Sequence, residues 1–150
     1  MPLGPSDIEG MLTAGGIRDV EVRDAEIGML VRVPLAAVGG VLSALRAAGF
    51  ESLIDFDGVD TGSDVDLTWR VRSYVHGGEA VIKASIDYGD TIESVWGIYP
   101  SALMPERETA ELLGLGLDAH PNPKRLLTTD GVPPLLRRDV PIRTPGEFRR

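Results

Sequence analysis

Apolar and polar residues along the 150-residue chain follow two rhythms, and the switches between them mark out the elements. Ile8, Met11 and Leu12 form a short helical face, expected to be capped by Ser6 with Glu9 reaching back, and to stop at Gly15-Gly16. "VEVR" and "IGMLVRVP" then alternate with period two. That places Ile27, Met29, Val31 and Val33 on one face of a hairpin turning at Asp24–Glu26. Helical spacing returns after Pro34, where Leu35, Val38, Leu42 and Leu45 share a stripe closed by Gly49. Gly39-Gly40 within that stripe costs about 1 kcal/mol per residue relative to alanine. The pair reads either as a close approach of helix to sheet or as a break.

Period two resumes in "FESLIDF", with Phe50, Ser52, Ile54 and Phe56 on one side, and in "LTWRVRSYVH", with Leu67, Trp69, Val71, Ser73 and Val75 on one side. Gly77-Gly78 predicts a two-residue hairpin turn into "EAVIKASID". Asp90–Glu93 suggests the cap of a short helix ending near Trp96-Gly97. Pro105 opens a last helix, with Glu106 and Glu108 in its first turn, Thr109, Leu112 and Leu113 on its buried side, and an Arg107–Glu111 pair at i, i+4. Strands grouped in hairpins among few helices predict an α+β fold. The expected form is a two-layer sandwich of a mainly antiparallel or mixed sheet with helices on one side, plus an extended C-terminal tail. Residues 1–117 are expected to form the α+β domain; residues 118–150, with prolines at 121, 123, 133, 134, 141 and 145, are expected to form a basic tail that either folds back on its own acidic body or docks on a partner.

Charge sharpens that division. Residues 118–150 carry seven Lys and Arg against four Asp and Glu, a net of +3, whereas residues 1–117 carry eight against nineteen, a net of −11. The overall −8 argues against a nucleic-acid partner. With no cysteine, disulfides, thiol nucleophiles and thiolate-held clusters or zinc are excluded from this chain. No apolar run nears the roughly 18 residues of a membrane span, and the start lacks the pattern of a secretory signal. "GLGLDA" follows a helix rather than a strand, so it reads as a helix C-cap and not as a dinucleotide fingerprint. "DFDGVDTGSDVD", Asp55–Asp66, fails the calcium-loop register and reads as a solvated acidic loop; His76 reads as a surface residue.

"PERETAELLGL", then "HPNPKRLL", then "PLLRRDVP" resembles the signature of the 30 kDa subunit family of respiratory NADH dehydrogenase, complex I. The family includes the counterpart of that subunit in membrane-bound energy-converting hydrogenases. Glu106, Arg107 and Glu108 match its Glu-Arg-Glu, and Glu111 stands where aspartate is usual. Leu112–Leu115 match the helix end, His120-Pro121 the His-Pro turn and Lys124-Arg125 the basic pair. Leu135, Arg137, Arg138 and Asp139 match Leu-x-Arg-Lys-Asp. The resemblance runs from about Phe50 to Pro141. Met104-Pro105 and Ala110, where aromatic residues are common, lean toward the hydrogenase-like branch or another complex I relative.

The resemblance implies an oxidoreductase subunit with no catalytic residue, cofactor or metal of its own. It would lie on the cytoplasmic side of the cell membrane and meet the membrane only through its complex. The implied partners are the large hydrogenase-like (quinone-site) subunit and the small iron–sulfur subunit, which hold the iron–sulfur clusters and, in hydrogenases, nickel–iron. The implied partner-binding residues are Glu106, Arg107, Glu108, His120, Lys124, Arg125, Leu135, Arg137, Arg138 and Asp139. The contrasting reading is a small stand-alone acidic enzyme, or a metal- or ligand-binding module, using the Asp55–Asp66 loop.

Overall fold

Period-two residues in the long strands decide the architecture, because one set of alternate positions is almost free of charge. In β4 (Val65–Ser73) those are Val65, Leu67, Trp69 and Val71; in β5 (Gly78–Ile86) they are Ala80, Ile82, Ala84 and Ile86, and all eight are buried. The computed structural model describes residues 2–141. In it, β1 (Glu21–Ala25), β2 (Gly28–Arg32) and β3 (Ser52–Asp60) join them in a five-stranded sheet of order β1-β2-β5-β4-β3. Neighbours run antiparallel except β2 and β5, which are parallel. Helices α1 (Pro5–Ala14), α2 (Val38–Ala47) and α3 (Leu103–Leu113) supply Ile8, Leu12, Val41, Leu42, Leu45 and Leu113 to the same core. The expected α+β two-layer architecture with a mixed sheet is therefore present.

The opposite sheet face needs no helix because its charges answer one another. Asp66 lies between Arg32 (3.4 Å) and Lys83 (2.7 Å), and Glu79 between Arg70 (2.6 Å) and Arg72.

Several local expectations give way to stronger physics. The α1 cap is Gly4, whose N–H donates to Asp7 at 2.9 Å, while Ser6 is already helical. Pro34 caps a 3₁₀ turn, Leu35–Ala37, so Gly39-Gly40 falls in the first turn of α2. A Cβ on Gly39 would meet nothing within 4 Å, so that residue mediates no close approach to the sheet. A bulge between Leu53 and Asp55 breaks the period in β3, turning Leu53 inward and leaving Ile54 exposed. The β4–β5 turn spans Tyr74–Gly77, four residues instead of two, because Ser73 pairs with Gly78. His76 in that turn is half-buried: its ring pairs with the Ala48 carbonyl at 2.9 Å.

The segment expected to be a short helix after Asp90 is instead β6 (Thr91–Glu93), paired in parallel with β7 (Gly116–Asp118). Its extended backbone finds partners across the chain that one isolated turn of helix would lack. The expected domain boundary at 117/118 falls inside β7. Tyr99 fixes the approach to α3. Fully buried, it donates its hydroxyl to the Phe50 carbonyl at 2.7 Å, and burial pushes its phenol up to about 12.

Gly28 is the tightest backbone contact in the sheet. Its φ is +129°, and a Cβ there would lie 2.2 Å from the Glu79 carbonyl oxygen of the neighbouring strand. Neither backbone can yield without breaking the parallel β2–β5 pairing. Gly28→Ala is expected to lose about 3 kcal/mol of unfolding free energy in urea titration; an unchanged midpoint would show that the strands separate cheaply here.

Candidate partner-binding surface

Helix α3 opens on a 3₁₀ turn, Pro100–Ala102, which places Glu106 in its first turn facing inward. The Glu106 side chain is fully buried. It accepts from the Val95 N–H at 2.7 Å and the Ser94 hydroxyl at 2.5 Å, tying the helix to the chain just beyond β6. Burial raises its carboxyl above the ordinary carboxylate range, opposed by those two hydrogen bonds and by His120. A raised carboxyl binds its proton more tightly folded than unfolded, so this group favours the fold below its folded pKa and weakens it as pH rises through that value. His120 sits beside it, buried, with Nε2 3.9 Å from the carboxylate, beyond hydrogen-bonding reach. Its Nδ1 accepts from the Asn122 N–H at 2.9 Å, so the ring proton on Nε2 donates to the Leu103 carbonyl at 2.8 Å. The His-Pro turn thus brings the chain back across the start of α3.

The next turn of the helix holds the segment beyond His120. Arg107 does not pair with Glu111. Its Nε donates to the Lys124 carbonyl at 2.8 Å and its Nη2 to the Arg125 carbonyl at 2.9 Å. Glu111 accepts from three successive backbone N–H groups, Leu126 (2.7 Å), Leu127 (3.0 Å) and Thr128 (2.5 Å), and from the Thr128 hydroxyl. Partial burial pushes its carboxyl upward, but the Thr128 hydroxyl and the three N–H groups outweigh it and hold the pKa at about 2. Arg125 closes the loop internally, donating to Thr128 Oγ1 at 2.7 Å and to the Val132 carbonyl at 3.0 Å.

The third anchor is Asp60, at the end of β3. It is buried, with 4% of its surface exposed. It accepts from the Tyr88 hydroxyl, the Arg138 N–H at 2.8 Å and the Gly62 N–H at 2.8 Å, with Arg137 Nε at 3.3 Å. Those donors, Tyr88 foremost, hold its carboxyl far below the ordinary range. The Arg137 guanidinium also lies 3.6 Å over the Tyr88 ring. Between the anchors, the Leu136 N–H donates to the Leu112 carbonyl at 2.9 Å, satisfying one of the orphan acceptors of α3. Gly114, at φ +69°, ends the helix as expected, and a Cβ there would lie 3.1 Å from Pro134.

The described part of the tail, to Pro141, therefore lies on its own body; residues 142–150, expected to continue it, fall outside the described residues. Of the residues implied as partner-binding, Glu106, Arg107, His120, Arg125 and Arg137 are engaged within the chain by the contacts above. Glu108, Lys124, Leu135, Arg138 and Asp139 are exposed. Leu127 (59%) and Leu136 (54%) join them outward. Asp55–Asp66 is no loop: it spans most of β3, a turn at 61–64 and the start of β4. Asp55 and Asp57 are exposed beside a shallow hollow of about 270 Å³ that also touches Glu108 and Leu136. Among the described residues, no three His, Cys, Asp or Glu are grouped to hold a metal, and no helix is long and apolar enough to cross a membrane. Sequence reading missed Asp60, although the Phe56, Gly58, Asp60 alternation pointed it inward, and missed Tyr88, which carries no signal before Asp60 is placed.

The family described as the respiratory-chain NADH dehydrogenase 30 kDa subunit matches residues 31–146 of this chain. The NADH-quinone oxidoreductase C subunit of Phenylobacterium zucineum is 33% identical over 139 residues, covering 87% of this chain and 66% of the relative. The Moorella thermoacetica C subunit is 29% identical over 85% of this chain and 90% of its own length. Against that of a Methylobacterium species the match spans only 51% of the relative. Among solved structures, a trypsin-resistant fragment of Nqo5 aligns with a TM-score of 0.64 at 22% identity, over 77% of this chain and 98% of the fragment. A chain of the archaeal membrane-bound sulfane sulfur reductase, a respiratory membrane complex, aligns with a TM-score of 0.68 at 19% identity, over 77% of this chain and 70% of that one. These two show the shared fold.

The tail clamp has a pH signature. The Glu111 pKa falls from the ordinary 4.5 to about 2 on folding. Its contribution is therefore complete above pH 4.5 and is lost as pH falls toward 2. Glu111→Gln is expected to lower the urea midpoint at neutral pH and to match the wild type near pH 2; a gap independent of pH would mean the carboxylate charge is not what holds the tail.

Proposed function

The chain belongs to the family of the respiratory-chain NADH dehydrogenase 30 kDa subunit, and from that membership we propose that it is a non-catalytic assembly subunit of a complex I-type, membrane-associated oxidoreductase. It spans 66% of the Phenylobacterium relative and 51% of the Methylobacterium one, so partners and activity are argued from its own surface as well as from kinship. The carrying observation is how the tail is held. Glu111, Asp60 and Arg107 grip mainly its backbone, and Leu127, Leu135 and Leu136, with Lys124 and Arg138, are left on the outside. Apolar groups interleaved with cations, on a segment without regular secondary structure, form a surface suited to a partner protein.

The large hydrogenase-like (quinone-site) subunit is the proposed main partner of this surface, with the small iron–sulfur subunit adjoining. The complex would place the chain on the cytoplasmic side of the cell membrane. Relatives named as NADH-quinone oxidoreductase C subunits support a NADH dehydrogenase type over the hydrogenase type suggested by Met104 and Ala110. Iron–sulfur clusters would reside in the partners. Electron transfer would then depend on this subunit for the placement of its neighbours, with no group of its own in the electron path. Of the aspartates on which a competing ligand-binding reading would draw, Asp60 and Asp66 are committed to partners within the fold.

Leu135→Asp combined with Leu136→Asp is expected to leave the thermal unfolding of the isolated chain within a few degrees of wild type, since both side chains are about half exposed. Co-purification of partner subunits from native membranes should fall roughly tenfold or more. Iron should follow the partners and be absent from the purified chain. Undiminished co-purification by the double variant, or stoichiometric iron in the isolated chain, would refute this reading.

A further inference from the structure

The most exposed apolar side chains among the described residues lie at the end of the sheet opposite the Asp60 anchor. Tyr74 (66%) and Val75 (74%) exceed every other large hydrophobic residue in exposure, and they are adjacent in the β4–β5 turn. Ile27, 56% exposed in the β1–β2 turn, joins them. Because β2 and β5 run parallel with Met29 beside Ala80, Ile27 and Gly78 fall at the same end of the sheet, and Gly78 is where the Tyr74–Gly77 turn enters β5. β3 begins at this end, with Ser52 beside Arg72, and finishes at Asp60, where the tail is anchored. Tyr74, Val75 and Ile27 are absent from the core and from the residues packed against it. The backbone of the turn calls for glycine at Gly77, where φ is +68°. Turns are ordinarily built from small polar residues, so the fold gives no reason for an aromatic followed by a β-branched side chain at this tip.

The tip is also held in place. Buried Ser73 accepts the His76 N–H on its hydroxyl at 3.0 Å. The His76 ring donates from Nε2 to the Ala48 carbonyl at 2.9 Å and lies 6.3 Å from the Phe50 ring, centroid to centroid. The Tyr74 N–H donates to Glu51 at 3.2 Å. The turn is thereby fixed to the α2–β3 connection at both Tyr74 and His76. Two apolar side chains presented on a backbone with little freedom left to lose make a preorganised contact.

Charge selects what can cover this patch. Asp24 and Glu26 precede Ile27, and Glu51 holds Tyr74; all three are exposed and have no ion-pair partner among the described residues. Of the nearby cations, Arg72 is committed to Glu79, and Arg23 alone leaves the carboxylates in excess. An anionic lipid surface would repel such a rim. A second copy of this chain, meeting it about a two-fold axis, would set the same three carboxylates against themselves. A different protein with an apolar recess bordered by Lys or Arg is complementary in both shape and charge. We propose that Tyr74, Val75 and Ile27 form a docking knob for a partner subunit that presents an apolar recess rimmed by basic residues. The proposal rests on the assembly reading above and adds a second contact to it. That contact is opposite in charge to the tail surface with Lys124 and Arg138, so the chain would join two chemically different neighbours.

The test places Tyr74→Ser together with Val75→Ser in the full chain and compares it with wild type and with the Leu135→Asp, Leu136→Asp tail variant. Thermal unfolding is measured, and each subunit co-purified from native membranes is quantified by mass spectrometry. The turn variant is expected to unfold within a few degrees of wild type, since neither side chain packs on the core, and to lose roughly tenfold or more of at least one subunit. Glu26→Lys, which reverses one charge of the rim, should lower recovery of the same subunit, more so at low salt. It decides the matter should the turn variant unfold. Benzoylphenylalanine in place of Val75 should cross-link, within the assembled complex, to that subunit at a segment carrying Lys or Arg. Full recovery of every subunit by the folded turn variant, undiminished recovery by Glu26→Lys where the turn variant fails to fold, or no cross-link to any subunit overturns the proposal. Phosphatidylglycerol vesicles that bind the wild-type chain but not the turn variant overturn it in favour of a membrane contact. A dimer seen by sedimentation in the wild-type chain and lost in the turn variant overturns it in favour of self-association. A wild-type chain that brings down no partner overturns both this proposal and the assembly reading, whereas partners kept by the turn variant and lost by the tail variant overturn this one alone.

Discussion

Glu111 accepting three consecutive backbone N–H groups is the contact on which the outer part of the molecule depends. From Ala119 to Pro141 the chain has no strand or helix, so its amides have no ladder in which to pair. A segment of this kind stays on a surface only if the surface supplies acceptors and donors placed for its backbone. Helix α3 does so with two residues one turn apart. Arg107 takes two carbonyls, Glu111 takes the following amides, and Asp60 repeats the arrangement at the far end of β3. His120 fixes the point of entry. The path of the tail is thereby set with little apolar burial of its own.

The same contact explains why the simplest helix expectation failed. An exposed i, i+4 ion pair is worth about 0.2–0.5 kcal/mol. Hydrogen bonds in which one partner is ionised are roughly twice as strong as neutral ones, and Glu111 makes several at once. Arg107 faces a similar choice between one carboxylate and two carbonyls. Where a neighbouring segment offers unpaired backbone groups, the local pair loses to it. Sequence spacing counts only the local partner.

The elements legible in the sequence were those decided by alternation over many residues. The buried face of β4, the α2 stripe and the Gly114 cap each follow from a pattern carried within the element. What was not legible depended on distant pairing. β6 became a strand because β7 lies beside it; nothing within Thr91–Glu93 says so. The bulge at Leu53 put Leu53 and Phe56 in the core and Ile54 on the surface, and no alternation within the strand announces it. For the surface proposed to face a partner, similarity singled out the stretch from Glu106 to Asp139. It could not separate residues that hold the tail, such as Glu106 and His120, from those the tail presents, such as Lys124 and Leu135.

The parallel seam between β2 and β5 bears on the order in which the chain can fold. β1 with β2, and β3 with β4 and β5, are local antiparallel units that need only short turns to form. Met29 meets Ala80, a partner about fifty residues further along, so the seam is the pairing with the greatest loop-closure cost in the sheet. During synthesis the β1–β2 hairpin must wait, with one edge open, until β5 has emerged. A contact made that late holds the finished sheet closed and does little to hasten its formation. The joint that makes this a single sheet is the one that must close the longest loop.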